Sequence, residues 1–213
     1  MPFKNIENRR CANKMIIRSD SLSVFLSDIS ISDADAIAKS ANNLDISQNF
    51  GSIESFPFPY TRKDAIALIE SAMIGYATNS AYHMAIRSIK TKELLGMIAL
   101  HDIDYSNKRC EMGYWIGPEN RNKGYASMGI LLGMHLGFEI LSLNKISSKV
   151  LDFNVISIHI LKKLDFKLEG ILIDNCYVKD SKHLNGGYFA DQHVYSIFKE
   201  KYPKLNTKSS IIY

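Results

Sequence analysis

The chain has 213 residues, 46% of them apolar and 23% charged, which is the make-up of one folded domain with a real core. Lys and Arg total 26 against 22 Asp and Glu, a net charge of +4; this suits an anionic ligand but lacks the concentrated basic stripe of a nucleic-acid binder. Cys11, Cys110 and Cys176 are odd in number and in no metal-ligand spacing, which excludes a disulfide framework and a sequence-local metal site and points to a reducing, cytoplasmic compartment.

From the N-terminus, Arg9, Arg10, Lys14 and Arg18 read as a solvated, partly flexible tail, and no apolar run follows them as a signal peptide would require. Leu22, Val24 and Leu26 alternate with Ser23, Phe25 and Ser27 and predict a first strand. Ser32-Asp33-Ala34-Asp35 reads as the capped start of an Ala-rich helix with Ala34, Ile37, Ala38 and Ala41 inward. Residues Asn49 to Tyr60 carry two prolines and predict an irregular stretch rich in aromatics. Thr61 and Asp64 predict the cap of a second helix, whose apolar residues Ala65, Ile69, Ala72 and Tyr76 recur at helical spacing.

Three strands, Tyr82 to Ser88, Leu94 to Asp102 and Arg109 to Ile116, are joined by connections short enough for hairpins. Gly117-Pro118 then leads into Arg121-Asn122-Lys123-Gly124-Tyr125-Ala126 and a helix reaching Leu141. A strand, a small polar loop and a helix start in that order form an anion site from backbone N–H groups alone, and this loop is read as the seat of a phosphorylated cofactor. The run from Met128 to Leu141 is too short for a membrane span and is broken by His135 and Glu139. Lys145 to Leu151 predicts a strand, Asn154 to Leu164 a helix, and Phe166 to Ile173 and Tyr188 to Phe198 the last strands. The order predicts a mixed α/β (α+β) domain around one largely antiparallel central sheet flanked by helices, with the helix after Ile116 as a crossover.

This order, with Glu111-Met112-Gly113-Tyr114-Trp115-Ile116-Gly117 ahead of Arg121-x-x-Gly124-x-Ala126, resembles the GNAT superfamily of N-acetyltransferases, and within it the ribosomal-protein alanine acetyltransferase (RimJ/RimL) type. Asn154-x-x-Ser157 before Lys163-Leu164-Asp165-Phe166, and Asp191-x-x-x-Tyr195-Ser196-Ile197, are weaker matches in the right order. The resemblance implies a single domain over residues 21–203 with tails at 1–20 and 204–213. It also implies acetyl-CoA as donor and an amine as acceptor, either a protein N-terminus or a small molecule. It implies a cofactor wedged where the Arg109–Ile116 strand splays from Lys145–Leu151. The pantetheine would meet Ile116 and Gly117, the pyrophosphate Arg121, Asn122, Lys123, Gly124, Tyr125 and Ala126, and Asn154 would lie beside the arm. No membrane or nucleic-acid partner is expected, and the chain is expected to be a monomer or homodimer. Two positions depart from the pattern. Asp165 stands where the family has Gly, and Leu161 where some members carry a tyrosine acid.

For the chemistry, Glu111 is the candidate general base, against a reading as a strand glutamate salt-bridged to Arg109 or Lys108. Ser157 is the candidate proton donor to the leaving thiolate, against a reading as a first-turn polar residue capped by Asn154. Phe56, Phe58 and Tyr60 are either a wall of the acceptor site or a hydrophobic clasp over the first helices. Cys110 lacks neighbours that would lower its pKa, which disfavours a covalent acetyl-cysteine route. The competing functions are a non-catalytic acyl-CoA-binding module and, within catalysis, small-amine acetylation.

Overall fold

The computed structural model of the chain describes residues 14–50, 56–179 and 186–212. Arg9, Arg10 and Cys11 lie outside these residues, as does most of the loop before Gly187. Among the described residues one nine-stranded sheet runs through the molecule in the order β7-β8-β6-β5-β4-β3-β2-β1-β9. The strands are β1 Lys14–Ser19, β2 Val24–Asp28, β3 Tyr82–Ser88, β4 Leu94–Asp104, β5 Arg109–Ile116, β6 Lys145–Leu151, β7 Lys167–Lys179, β8 Gly187–Phe198 and β9 Thr207–Ile212. Every neighbouring pair is antiparallel except β5 and β6, which the crossover helix joins in parallel.

Two strands come from the segments read as tails. Lys14–Ser19 pairs with β2 on one side and with Thr207–Ile212 on the other. Met15 and Ile17 are buried at 5% and 0% exposure, so the sheet and its core extend beyond residues 21–203.

The helices are α1 Ala34–Ala41, α2 Leu44–Asn49, α3 Arg62–Ala77, α4 Tyr125–His135 and α5 Val155–Lys163. The cap of α1 sits earlier than the sequence suggests. Ser30 and Asp33 form the reciprocal box around a short 3-10 turn, with the Ser30 N–H donating to Asp33 at 2.9 Å. The box at Thr61 and Asp64 opens α3 as expected. The short α2, capped by Asn43, falls in a stretch whose polar composition hides its helical period.

Alternation along β3, β4 and β5 sends side chains to two cores. Met84, Ile86, Ile98, Leu100, Met112 and Ile116 meet α4 on one face. Ala85, Met97 and Trp115 meet α1, α3 and the aromatic loop on the other. Helix α4 can lie close to the sheet because Gly129, Gly133 and Gly137, one per turn, face Ile86, Ile98 and Ile146. A Cβ at each would come within 2.5, 2.5 and 2.7 Å of the isoleucine Cδ1. The helix ends in a π-helical turn, Leu136–Ile140, packed around the fully buried Phe138.

Candidate active site

The β5–β6 ladder is short. It links Arg109 to Lys145, Cys110 to Ile146 and Glu111 to Ser147, and then stops, while β5 stays paired with β4 as far as Ile116. From Met112 onward one edge of β5 therefore opens on a cleft. The Gly117 N–H donates to Leu95 O on the β4 side at 2.9 Å. Backbone direction alternates along a strand, so the N–H and C=O of Ile116 and of Tyr114 turn toward the cleft. Gly117 has its N–H committed to Leu95 and its C=O accepting from Asn120, while at Ile116 the C=O accepts from Arg121 Nε at 3.4 Å and the N–H faces the cleft. Gly117 is needed for another reason. A Cβ there would collide with Ser40 Oγ, a buried hydroxyl of α1 that has no hydrogen-bond partner.

At the mouth of the cleft Asn122 and Gly124 both have left-handed backbone, φ 61° and 76°, and Gly124 is the N-cap of α4. That alternation curls successive N–H groups into an anion-binding concavity at a helix N-terminus. A Cβ at Gly124 would meet only the Met128 methyl at 3.7 Å, so the approach is open. The donor set thus fits a pyrophosphate. The flanking cations do not stand free. Arg121 is ion-paired with Asp45 of α2 at 2.7 Å, and Lys123 donates to Glu119 O at 2.9 Å. The backbone N–H groups of Asn122 to Ala126 line the mouth beside these paired side chains.

Asn154 caps α5, its Oδ1 accepting from the Ser157 N–H at 3.1 Å. Ser157 is half-buried and lies within electrostatic reach of the Tyr114 hydroxyl, which is buried and makes no hydrogen bond of normal geometry. Burial pushes the Tyr114 phenol up to about 12, and the Ser157 hydroxyl partly offsets this. Leu161, one turn further on, is wholly buried in the core and offers no proton.

Glu111 points to the face of α1–α3, with Gly113 and Trp115. Its carboxylate is 27% exposed and its ion-pair partner is Lys149 of β6, at 2.5 Å, in place of the Arg109 or Lys108 that sequence proximity suggested. Arg109 is instead paired with Asp104 at 3.4 Å. Across the strand from Glu111 stands His101, whose Nδ1 is 3.0 Å from Asp102 Oδ2. Ligand atoms of His101, Asp102 and Glu111 lie within 4.8 Å of one another, a grouping made by strand pairing and invisible as a sequence spacing. Burial, with a smaller contribution from His101, holds His83 down at about 4, so its ring is neutral at physiological pH. Beyond Glu111 a polar lane crosses the sheet: Ser147 and Ser196 share a hydrogen bond of 2.8 Å, and Ser196 donates to Glu169, which pairs with Lys145 at 2.6 Å.

The aromatic residues divide by role. Phe56 and Tyr60 are each 6% exposed, lie tilted with ring centroids 4.8 Å apart and share one core with Trp115, to which Phe56 is edge-on, so they form a clasp. Phe58 is 41% exposed. Phe50, stacked on Phe56 at 4.8 Å, is the ring that reaches the Glu111 surface: its Cε1 would lie 3.9 Å from a Cβ on Gly113. Cys110 faces the opposite core, where burial and then the Glu111 charge push its thiol up to about 12. It holds no thiolate at neutral pH.

The acetyltransferase (GNAT) domain family matches residues 23–167. The chain is 30% identical over 188 residues to the uncharacterized N-acetyltransferase YoaA of Bacillus subtilis (strain 168), covering 87% of this chain and 98% of that one. Its fold is similar to Mycobacterium smegmatis RimJ in complex with CoA-disulfide, with a TM-score of 0.75 at 16% identity over 90% of each chain. It is also similar to spermidine N-acetyltransferase from Vibrio cholerae in complex with CoA and spermine, with a TM-score of 0.72 at 23% identity over 85% of this chain and 99% of that one. No described helix is long and apolar enough to cross a membrane. With the cleft, the helix-start loop and the family match in agreement, the chain belongs to the GNAT acetyltransferases and is an N-acetyltransferase that takes its acetyl group from acetyl-CoA.

Proposed function

We propose that the acceptor is the N-terminal amine of a protein or peptide, with Glu111 as general base. The observation that carries this is the make-up of the Glu111 surface. One half-buried carboxylate, paired with the half-exposed Lys149 ammonium that an acceptor's would displace, stands with the exposed Phe50 ring beside it and a lane of paired polar groups leading away across β6, β8 and β7. A single ammonium is what this surface can neutralise. A polyamine carries several charges at fixed spacing and needs a carboxylate for each. Here Asp102, within 4.8 Å of Glu111, is tied to His101, and Glu169 in the lane is tied to Lys145. The polar lane suits an extended chain whose first residue packs on Phe50.

Acetyl-CoA supplies the activated acetyl group, and this chain's own residues do the rest. Amides of Asn122 to Ala126 hold the phosphates, and the open edge at Ile116 aligns the arm. Glu111 accepts a proton from the acceptor ammonium, directly or through water, because an ammonium has no lone pair with which to attack. The Ile116 N–H, turned into the cleft, stabilises charge that develops on the carbonyl oxygen. Ser157, backed by the Tyr114 hydroxyl, delivers the proton to the departing sulfur.

The small-amine alternative keeps the same donor side and differs only in the acceptor. Incubating the enzyme with acetyl-CoA and either a panel of short peptides or a panel of polyamines and amino sugars separates the two. Higher kcat/KM on peptides, changing with the first residue and with Phe50→Ala, supports the proposal. Turnover confined to polyamines would refute it, and no turnover on any amine would favour a binding module.

A further inference from the structure

We infer that Lys149 is itself an acetyl acceptor, so that the enzyme acetylates its own active-site lysine when no other amine is present. The inference rests on the reading of Glu111 as base. Lys149 belongs to β6 and lies two residues beyond Ser147, where the ladder with β5 ends. Two residues along a strand is the same face, so its side chain leaves β6 on the Glu111 side of the sheet. It spans the mouth of the splay, and its ammonium rests 2.5 Å from Glu111 Oε1. Lys149 thus presents a primary ammonium where an acceptor's ammonium must stand for Glu111 to take its proton.

Neither group is locked in place. The Lys149 side chain is 38% exposed, and Glu111 is its ion-pair partner among the described residues, so its four-carbon stem is free to swing into the cleft. An exposed pair of this kind is individually weak, which lets the ammonium leave the carboxylate once a proton has moved. Tethering replaces a bimolecular encounter by an intramolecular one, for which effective concentrations of well-oriented groups reach ~10⁵ M and above. Among the described residues the other lysines paired with a carboxylate have partners outside β5: Lys167 with Asp165, Lys145 with Glu169 and Lys199 with Glu139.

The chemistry closes without any added reactant beyond the donor that the enzyme already uses. Glu111 takes one proton from the Lys149 ammonium. The freed lone pair forms the N–C bond to the acetyl carbonyl carbon, the C–S bond breaks, and the second nitrogen-bound proton goes to the sulfur. The products are Nε-acetyl-Lys149 and free coenzyme A, and Glu111 returns its proton to solvent. Acetylation would remove the positive charge that now answers Glu111.

The test is to incubate the purified full chain with acetyl-CoA and no acceptor, and to map acetyl groups by peptide mass spectrometry. Lys149 should be labelled at least tenfold faster than the exposed Lys63 and Lys90, at a rate per chain that does not change on dilution. The label should survive hydroxylamine, as an amide does and an ester does not. In Glu111→Gln the advantage should vanish, and in Lys149→Arg the fast phase should be missing while the fold is kept. A second arm uses no acetyl-CoA: Lys149→Met should bind propylammonium several-fold more tightly than the parent by calorimetry, because the competing ammonium is gone. Labelling of Lys149 no faster than Lys63, or equal propylammonium affinity in the two proteins, would overturn the inference. Turnover on an external amine distinguishes the two levels. If Glu111→Gln keeps full turnover, the base assignment fails; if turnover collapses while the parent's Lys149 stays unlabelled, only self-acetylation fails.

Discussion

The two faces of the sheet build their candidate sites by different means. On the α4 face the site is made of backbone: a left-handed Asn122 and Gly124, the first turn of α4, and the edge of β5 left open where β6 departs. The isoleucines Ile86, Ile98 and Ile146 there set how closely α4 lies on the strands. On the α1–α3 face the site is made of side chains: Glu111, His101, Lys149 and Phe50, brought together from three strands and a loop. A backbone site survives drift in side chains and demands only glycine and loop length. A side-chain site changes its ligand with single substitutions. The donor is therefore common to a family and the acceptor particular to a member.

That contrast is broken most severely at Glu111. Glu111→Gln keeps size and hydrogen-bonding capacity but removes the carboxylate proposed as base. Turnover at neutral pH should fall by ~10²-fold or more, with coenzyme A affinity nearly unchanged. Steady-state kinetics beside calorimetric titration with coenzyme A checks both halves. A rise in the acceptor KM with no matching loss of kcat would show that Glu111 only positions charge.

On the backbone face the corresponding change is Gly124→Val. Its φ of 76° is costly for any side chain and most of all for a branched one, and the added bulk stands at the phosphate approach. Acetyl-CoA at a hundredfold excess over its Kd should stabilise the parent by ~2.7 kcal/mol. The variant, less stable to begin with, should show no rise in Tm on adding the same ligand. A full rise in the variant would move the phosphates away from this loop.

A smaller effect tests the polar lining. His83 is held neutral, at about 4, by burial and by His101. Its folded pKa lies below the unfolded value of 6.5, so the unfolded chain takes up the proton first as pH falls. The stability linked to His83 is complete above pH 6.5 and is lost progressively down to about pH 4. Allowing for the partial exposure of the ring, the loss is about 2 kcal/mol. His83→Gln should flatten that part of the stability–pH curve, measured by denaturant unfolding, while the carboxylate contribution at lower pH remains.

The same division explains what the sequence disclosed. Strands β3 to β6 and helix α3 were legible because period and caps are local, and the loop at Arg121 to Ala126 because a strand, a glycine and a helix start are contiguous. The Glu111–Lys149 pair was not, since the residues are 38 positions apart and meet only where a parallel ladder ends. Phe50 could have been singled out from its neighbours only by knowing that Phe56 and Tyr60 turn inward. The strand at Thr207–Ile212 has its partner in Lys14–Ser19 at the far end of the sequence, and Lys14–Ser19 joins the sheet through β2, so neither basic or polar segment announces itself alone. The spacing of Gly129, Gly133 and Gly137 is a readable signal for close packing of α4.

The smallest effect is expected at Asp165, where the family pattern has glycine. Asp165 has φ 67° and follows α5 in a Schellman turn: its N–H donates to Lys162 O at 3.1 Å and the Phe166 N–H to Leu161 O at 3.0 Å. The accompanying apolar contact is there too, with Phe166 and Leu161 buried in one core at 2% and 0% exposure. Glycine would take this conformation without the strain that a Cβ brings, but it would add freedom to the unfolded chain and lose the Asp165–Lys167 pair at 2.5 Å. Lys167 holds the Asp165 carboxyl below its ordinary value by hydrogen bond and charge, yet both side chains are more than half exposed, so water and salt screen the pair. Asp165→Gly should therefore be neutral or slightly stabilising at low salt and should gain on the parent as salt rises, read from urea midpoints at two ionic strengths. Destabilisation that persists at high salt would mean that the turn depends on the carboxylate, and that the departure from glycine is a compensated one.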